Sequence, residues 1–89
     1  MKYIVVSQYP GGGSENIHLF SSTLAHDIMA QNLCGPHFMK RIVAAGNIFF
    51  EESKDEPTIM YCTGESTTLG VKSRGDVDTA LLKATLYAR

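Results

Sequence analysis

Apolar positions along the chain fall into short runs whose spacing alternates between strand-like and helix-like periods. Tyr3-Ile4-Val5-Val6 is a compact β-rich run and predicts a buried strand over 3–7. Tyr9-Pro10-Gly11-Gly12-Gly13-Ser14-Glu15-Asn16 ends it, because proline and successive glycines disfavour a regular element. Ile17-His18-Leu19-Phe20 reads as a second short strand or an extended lead-in. A helix is predicted over 22–33, with Ser21 or Ser22 supplying the N-cap oxygen. On a 3.6-residue wheel Leu24, Ala25, Ile28, Met29 and Leu33 share one broad face, with Asp27 and Gln31 opposite. Gly35-Pro36 then stops the helix.

The longest predicted strand covers 41–52. Ile42, Ala44, Gly46, Ile48 and Phe50 alternate with Val43, Ala45, Asn47, Phe49 and Glu51. Both sets begin apolar, which predicts cover on both faces at that end. Gly46 in mid-strand predicts a bulge or a close backbone approach. A turn over 53–57 leads into a return strand over 58–63, most simply an antiparallel hairpin partner. A second turn over 64–68 precedes a short edge strand over 69–72. The last element is a helix from residue 74 to the end. Ser73-Arg74-Gly75-Asp76 has capping-box form, with Ser73 at the N-cap, and Asp76 and Asp78 suit the helix dipole. Val77, Ala80, Leu81, Ala84 and Ala88 form one stripe. Leu82 and Leu86 sit roughly 140–180° round from Val77, outside that stripe.

This order predicts a single α+β domain over 1–89. The simplest assembly is a two-layer sandwich: a mainly antiparallel sheet of three to five strands with both helices on one face. A helix on each face is the alternative.

Composition narrows the function classes. The chain has 89 residues, 44% hydrophobic and 19% charged, which describes one globular domain and not a disordered chain. Eight Lys plus Arg against nine Asp plus Glu leave a net charge of −1, so non-specific nucleic-acid binding is not expected. No apolar run is long enough for a membrane span. Met1-Lys2-Tyr3-Ile4-Val5-Val6 lacks the apolar core and cleavage site of a signal peptide. Cys34 and Cys62 are too few for a disulfide framework, so the expected compartment is the cytoplasm. A domain this small is often supplemented by dimerisation.

The segments Ala44-Ala45-Gly46-Asn47-Ile48-Phe49-Phe50 and Gly64-Glu65-Ser66-Thr67-Thr68-Leu69-Gly70-Val71-Lys72-Ser73-Arg74-Gly75-Asp76-Val77-Asp78 make up 22 of the 89 residues. They resemble a pattern in small uncharacterised accessory proteins of tailed bacteriophages, in which a hairpin leads through G-E-S-x-x-L-G-x-K-S-R into a terminal helix. The resemblance implies an accessory protein of the host cytoplasm that binds host proteins. It brings no catalytic residues with it.

Four features of the sequence carry candidate chemistry. His26, Cys34, His37 and Cys62 are metal-ligand types, and Cys34-Gly35-Pro36-His37 has C-x-x-H spacing. A structural zinc site takes two close ligand pairs; here Cys62 stands alone in a strand. Cys34 as a nucleophile would sit at a helix C-terminus, where the dipole disfavours a thiolate. Gly11-Gly12-Gly13 follows a strand but lacks the Lys-Ser/Thr ending of a phosphate loop, so it reads as a connector. Arg74-Gly75-Asp76 spells an adhesion tripeptide, but its place at a helix start makes it capping chemistry. No catalytic, metal or cofactor residue is therefore assigned.

Two surfaces stand out for binding. Residues 51–56 carry a net charge of −3, so Glu51, Glu52 and Asp55 read as an acidic knob for a basic partner. Leu82 and Leu86, with Tyr87 or Met39, read as an interface for a partner or a second copy. The expected function is a small non-enzymatic accessory protein that binds a protein partner. The alternative is a small-ligand or metal-dependent enzyme using His26, His37 and the cysteines.

Overall fold

A computed structural model describes residues 1–51 and 59–87. The elements are β1 (Lys2–Tyr9), β2 (Gly12–Phe20), α1 (His26–Cys34), a 3₁₀ turn (Gly35–Lys40), β3 (Ile42–Glu51), β4 (Ile59–Thr63), β5 (Glu65–Ser66), β6 (Val71–Lys72) and α2 (Asp76–Tyr87). The main sheet has four antiparallel strands in the order β2-β1-β3-β4, and β5 and β6 form a separate two-stranded ribbon. The α+β class and the antiparallel sheet are as the sequence predicts. The turn expected over 53–57 lies outside the described residues.

The first hairpin is longer than the sequence pattern suggests. Tyr9 pairs with Gly12, leaving Pro10-Gly11 as the turn. Proline followed by glycine at φ +83° is the signature of a type II turn, which needs a positive φ at its second central residue. Gly12 through Asn16, expected to be irregular, are instead strand, because β1 supplies the ladder that these residues do not favour alone.

α1 begins at His26, later than predicted. Ser21 does not cap it. Its hydroxyl accepts the Thr23 N–H at 3.3 Å, and its carbonyl accepts the Leu24 N–H at 3.0 Å, which closes a separate turn. Ala25 stands at the N-cap with no side-chain hydrogen bond. The buried residues are His26 and Ala30, whereas Ile28 and Leu33 are exposed. The predicted apolar face is thus rotated. Gly35 ends α1 as expected, and Pro36 opens the 3₁₀ turn that the sequence pattern did not reveal.

Two apolar clusters show how the layers stack. One joins Tyr3, Val5, Ala44, Ile48, Met60 and Cys62 to Leu82 of α2. The other joins Ile4, Val6, Ile42 and Ala45 to Ala30 of α1 and to Leu69 between β5 and β6. Alternate residues of β1 supply the two clusters, so they lie on opposite faces of the sheet. One helix therefore packs on each face, which is the alternative arrangement that the element order allows. The start of β3 is covered on both faces, as its double apolar pattern predicts. A bulge makes this fit: Val5 pairs with Ala44 and Val6 with Ile42, so Val43 is the extra residue.

Gly46 sits where the layers meet. It pairs with Tyr3 across β1 and β3. A Cβ there would lie 2.5 Å from the Thr63 carbonyl oxygen, 3.1 Å from Ser73 Cβ and 3.3 Å from Tyr3 Cε1. From the α1 side, the buried His26 ring donates from Nε2 to the Gly46 carbonyl at 2.8 Å and meets Phe20 edge-on at 5.4 Å. The close approach predicted for Gly46 is therefore found, and the atom it approaches is backbone, which cannot rotate away. Gly46→Ala is expected to lower stability by about 1–3 kcal/mol, the range for overpacking. Urea unfolding checks this, and an unchanged midpoint would mean that β3 and the end of β4 separate freely.

Candidate functional site

The most polar buried feature ties α2 to the sheet. Asp78 is fully buried. Its Oδ2 accepts the Arg74 backbone N–H at 2.8 Å and the Tyr3 hydroxyl at 2.6 Å. Its Oδ1 accepts Arg74 Nε at 2.7 Å. The same guanidinium donates through both terminal nitrogens to Glu15 of β2, at 2.8 and 3.1 Å. Ser73 Oγ accepts the Gly75 N–H at 3.1 Å and lies 2.6 Å from the Tyr3 oxygen. The predicted capping box is thus shifted: Ser73 accepts from Gly75, and Asp78 reaches back in place of Asp76.

This cluster resembles an acid–base site only in composition. Burial, then the hydrogen bond to Asp78, pushes the Tyr3 phenol far above its usual value, so it remains a donor. Glu15, opposed by burial but seconded by Asp78, raises the Arg74 guanidinium further, so it remains a cation. Burial likewise raises the Cys62 thiol, with Asp78 adding to the shift, which disfavours the thiolate. The Asp78 carboxylate faces donors from Arg74 and Tyr3, and the guanidinium is held between two acids. The arrangement is a closed anchor for the N-terminal end of α2, with no group left poised to act on a substrate.

The sheet separates the two cysteines. Cys62 lies in the α2-side cluster, while Cys34 and His26 lie on the α1 side, and His37 falls in the 3₁₀ turn. Among the described residues no His, Cys, Asp or Glu group of three or more is placed to hold a metal ion. An open depression of about 500 Å³ is lined by Met1, Leu19, Phe20, Ser21 and Ser22, which bring no carboxylate, imidazole or thiol. No helix of the described residues is long and apolar enough to cross a membrane.

The predicted interface on α2 needs correction. Leu82 is fully buried and completes the core under α2, so it is not available to a partner. The buried face is rotated from the predicted stripe: Asp78 and Leu82 are buried and Leu81 packs beside them, whereas Val77 is exposed. Every residue from Lys83 to Tyr87 is exposed, so the second half of α2 runs past its cover. Leu86 and Tyr87 are exposed for that reason; Met39, on the 3₁₀ turn, is exposed as well. Glu51 ends β3 in solvent, while Glu52 and Asp55 lie outside the described residues.

A different surface emerges on the β3–β4 hairpin. Alternation sends Ile48, Met60 and Cys62 toward α2, and Asn47, Phe49, Glu51, Tyr61 and Thr63 to the other face, where all five are exposed. Phe49 pairs with Tyr61 across the strands. Their rings stack at 4.9 Å and 30° while remaining 48% and 41% exposed. An aromatic pair thus stands in water between a polar end (Asn47, Thr63) and an acidic one (Glu51). The sequence reading missed it, although a signal existed. The set Val43, Ala45, Asn47, Phe49, Glu51 turns polar after Ala45, which leaves Phe49 as an aromatic in a solvent row. No family model, curated protein or solved structure matches the chain.

Proposed function

We propose that the protein is a small non-enzymatic accessory protein that acts by binding another protein through the solvent-facing row of the β3–β4 hairpin. The stacked, half-exposed Phe49–Tyr61 pair carries this reading. Exposed aromatics flanked by polar side chains are the usual anchors of protein interfaces, because they bury much area with little rotamer entropy. The cytoplasmic, phage-accessory setting implied by the sequence resemblance belongs to the same proposal, as does the acidic knob of Glu51, Glu52 and Asp55.

Site-specific photo-cross-linking tests the reading. A benzophenone side chain at position 49 or 61, in the cell that makes the protein, is expected to give a discrete protein adduct. The same probe at Val77, exposed on α2, is expected to give none. Absence of an adduct at both hairpin positions would refute the proposal.

A further inference from the structure

We infer that the partner presents arginine, in a basic segment laid along the Asn47–Phe49–Glu51 row. The inference rests on the docking role proposed for this hairpin and specifies the chemistry that fits it. Phe49 and Glu51 are neighbours on one face of β3, about 6.6–6.8 Å apart along the strand. A guanidinium lying on an aromatic face can span that separation and reach the carboxylate. Arginine alone among side chains combines a flat cation that stacks on a ring with a donor fork that matches a carboxylate. The charge of the segment points the same way. Residues 51–56 contain Glu51, Glu52, Asp55 and Glu56 against Lys54, a net −3 continuing from the end of β3. A nucleic-acid phosphate would be repelled here, and a purely apolar partner would strip water from Asn47, Glu51 and Thr63 without replacing its hydrogen bonds.

The probes are three blocked heptapeptides alternating glycine with arginine, lysine or glutamate, titrated into the isotopically labelled protein and followed by NMR. The arginine peptide is expected to give saturable shifts at Phe49, Glu51 and Tyr61, weakened by added salt. It should bind about threefold or more tighter than the lysine peptide, the difference that ring stacking supplies at an exposed site. Tyr61→Ala and Glu51→Gln are each expected to weaken it about threefold or more. Both residues are exposed, so resonances elsewhere should stay in place and report an intact fold. Shifts centred elsewhere, an equal response to the glutamate peptide, or no saturable shift by about 5 mM, the weak end of measurable affinity, would overturn the inference. So would hairpin resonances that move with protein concentration alone, since the occupant would then be a second copy. Should the arginine peptide fail while cross-links persist at 49 and 61, the surface stands with a partner of other chemistry. Should both fail, the docking role itself is refuted.

Discussion

Arg74→Ala is expected to remove about 3–5 kcal/mol of folding stability, because it strands the fully buried Asp78 carboxylate without its cation. At roughly 0.05–0.15 kcal/mol per residue, a domain of this size holds only about 4–13 kcal/mol in total, so the variant sits near its folding limit. Urea unfolding with the slope held fixed measures the loss. Two companions separate the buried contact from the surface one. Glu15→Gln leaves Asp78 paired and touches only the partly exposed bridge, so it should cost less than about 1 kcal/mol. Replacing Tyr3, Arg74 and Asp78 together by Phe, Met and Leu removes every buried charge of the anchor at once. That triple variant should recover much of the loss, since apolar packing commonly equals or exceeds a buried ion pair. A loss under about 1 kcal/mol for Arg74→Ala would mean that water reaches Asp78 and the anchor is not dry.

The second large effect concerns Leu82. Leu82→Ala should cost about 2–5 kcal/mol, the cavity range for a fully buried leucine. Leu86→Ala, on the exposed turn beyond the sheet, should change stability by no more than about 0.5 kcal/mol. Thermal or urea unfolding of the two variants measures how far along α2 the packing on the sheet extends. Equal effects at both positions would show that the end of α2 docks on the globule in solution.

That contrast also explains which parts of the fold were legible. Strands announced themselves through β-branched and aromatic runs, and Gly46 through its place in one of them. Both helices were found, but the centres of both faces were misplaced for one reason. Each buried face centres on a polar residue, His26 in α1 and Asp78 in α2. A hydrophobic wheel scores these as solvent positions, because it does not count hydrogen-bond partners, some of which lie far away in sequence. His26 needs the Gly46 carbonyl, and Asp78 needs Tyr3 as well as its own Arg74. Local periodicity carries no record of such pairings. The weakly strand-forming β2 was underestimated on similar grounds, since its regularity comes from β1. Of the candidate surface, the acidic end was visible as a charge run. The Phe49–Tyr61 pair was not, because strand register, rather than either residue alone, places the rings together.

The sheet order has a consequence for how the chain assembles. β1–β2 and β3–β4 are each hairpins that close between neighbours in sequence, whereas β1 meets β3 only when Tyr3 reaches Gly46. The central junction is thus a seam between two locally formed halves, and loop entropy makes it the slower contact to form. Until it closes, Ile4-Val5-Val6 lies along an open strand edge, a template for pairing with another chain. The features concentrated at the seam, from the side-chain-free Gly46 to the phenol of Tyr3, therefore govern how long the nascent sheet stays open to mispairing.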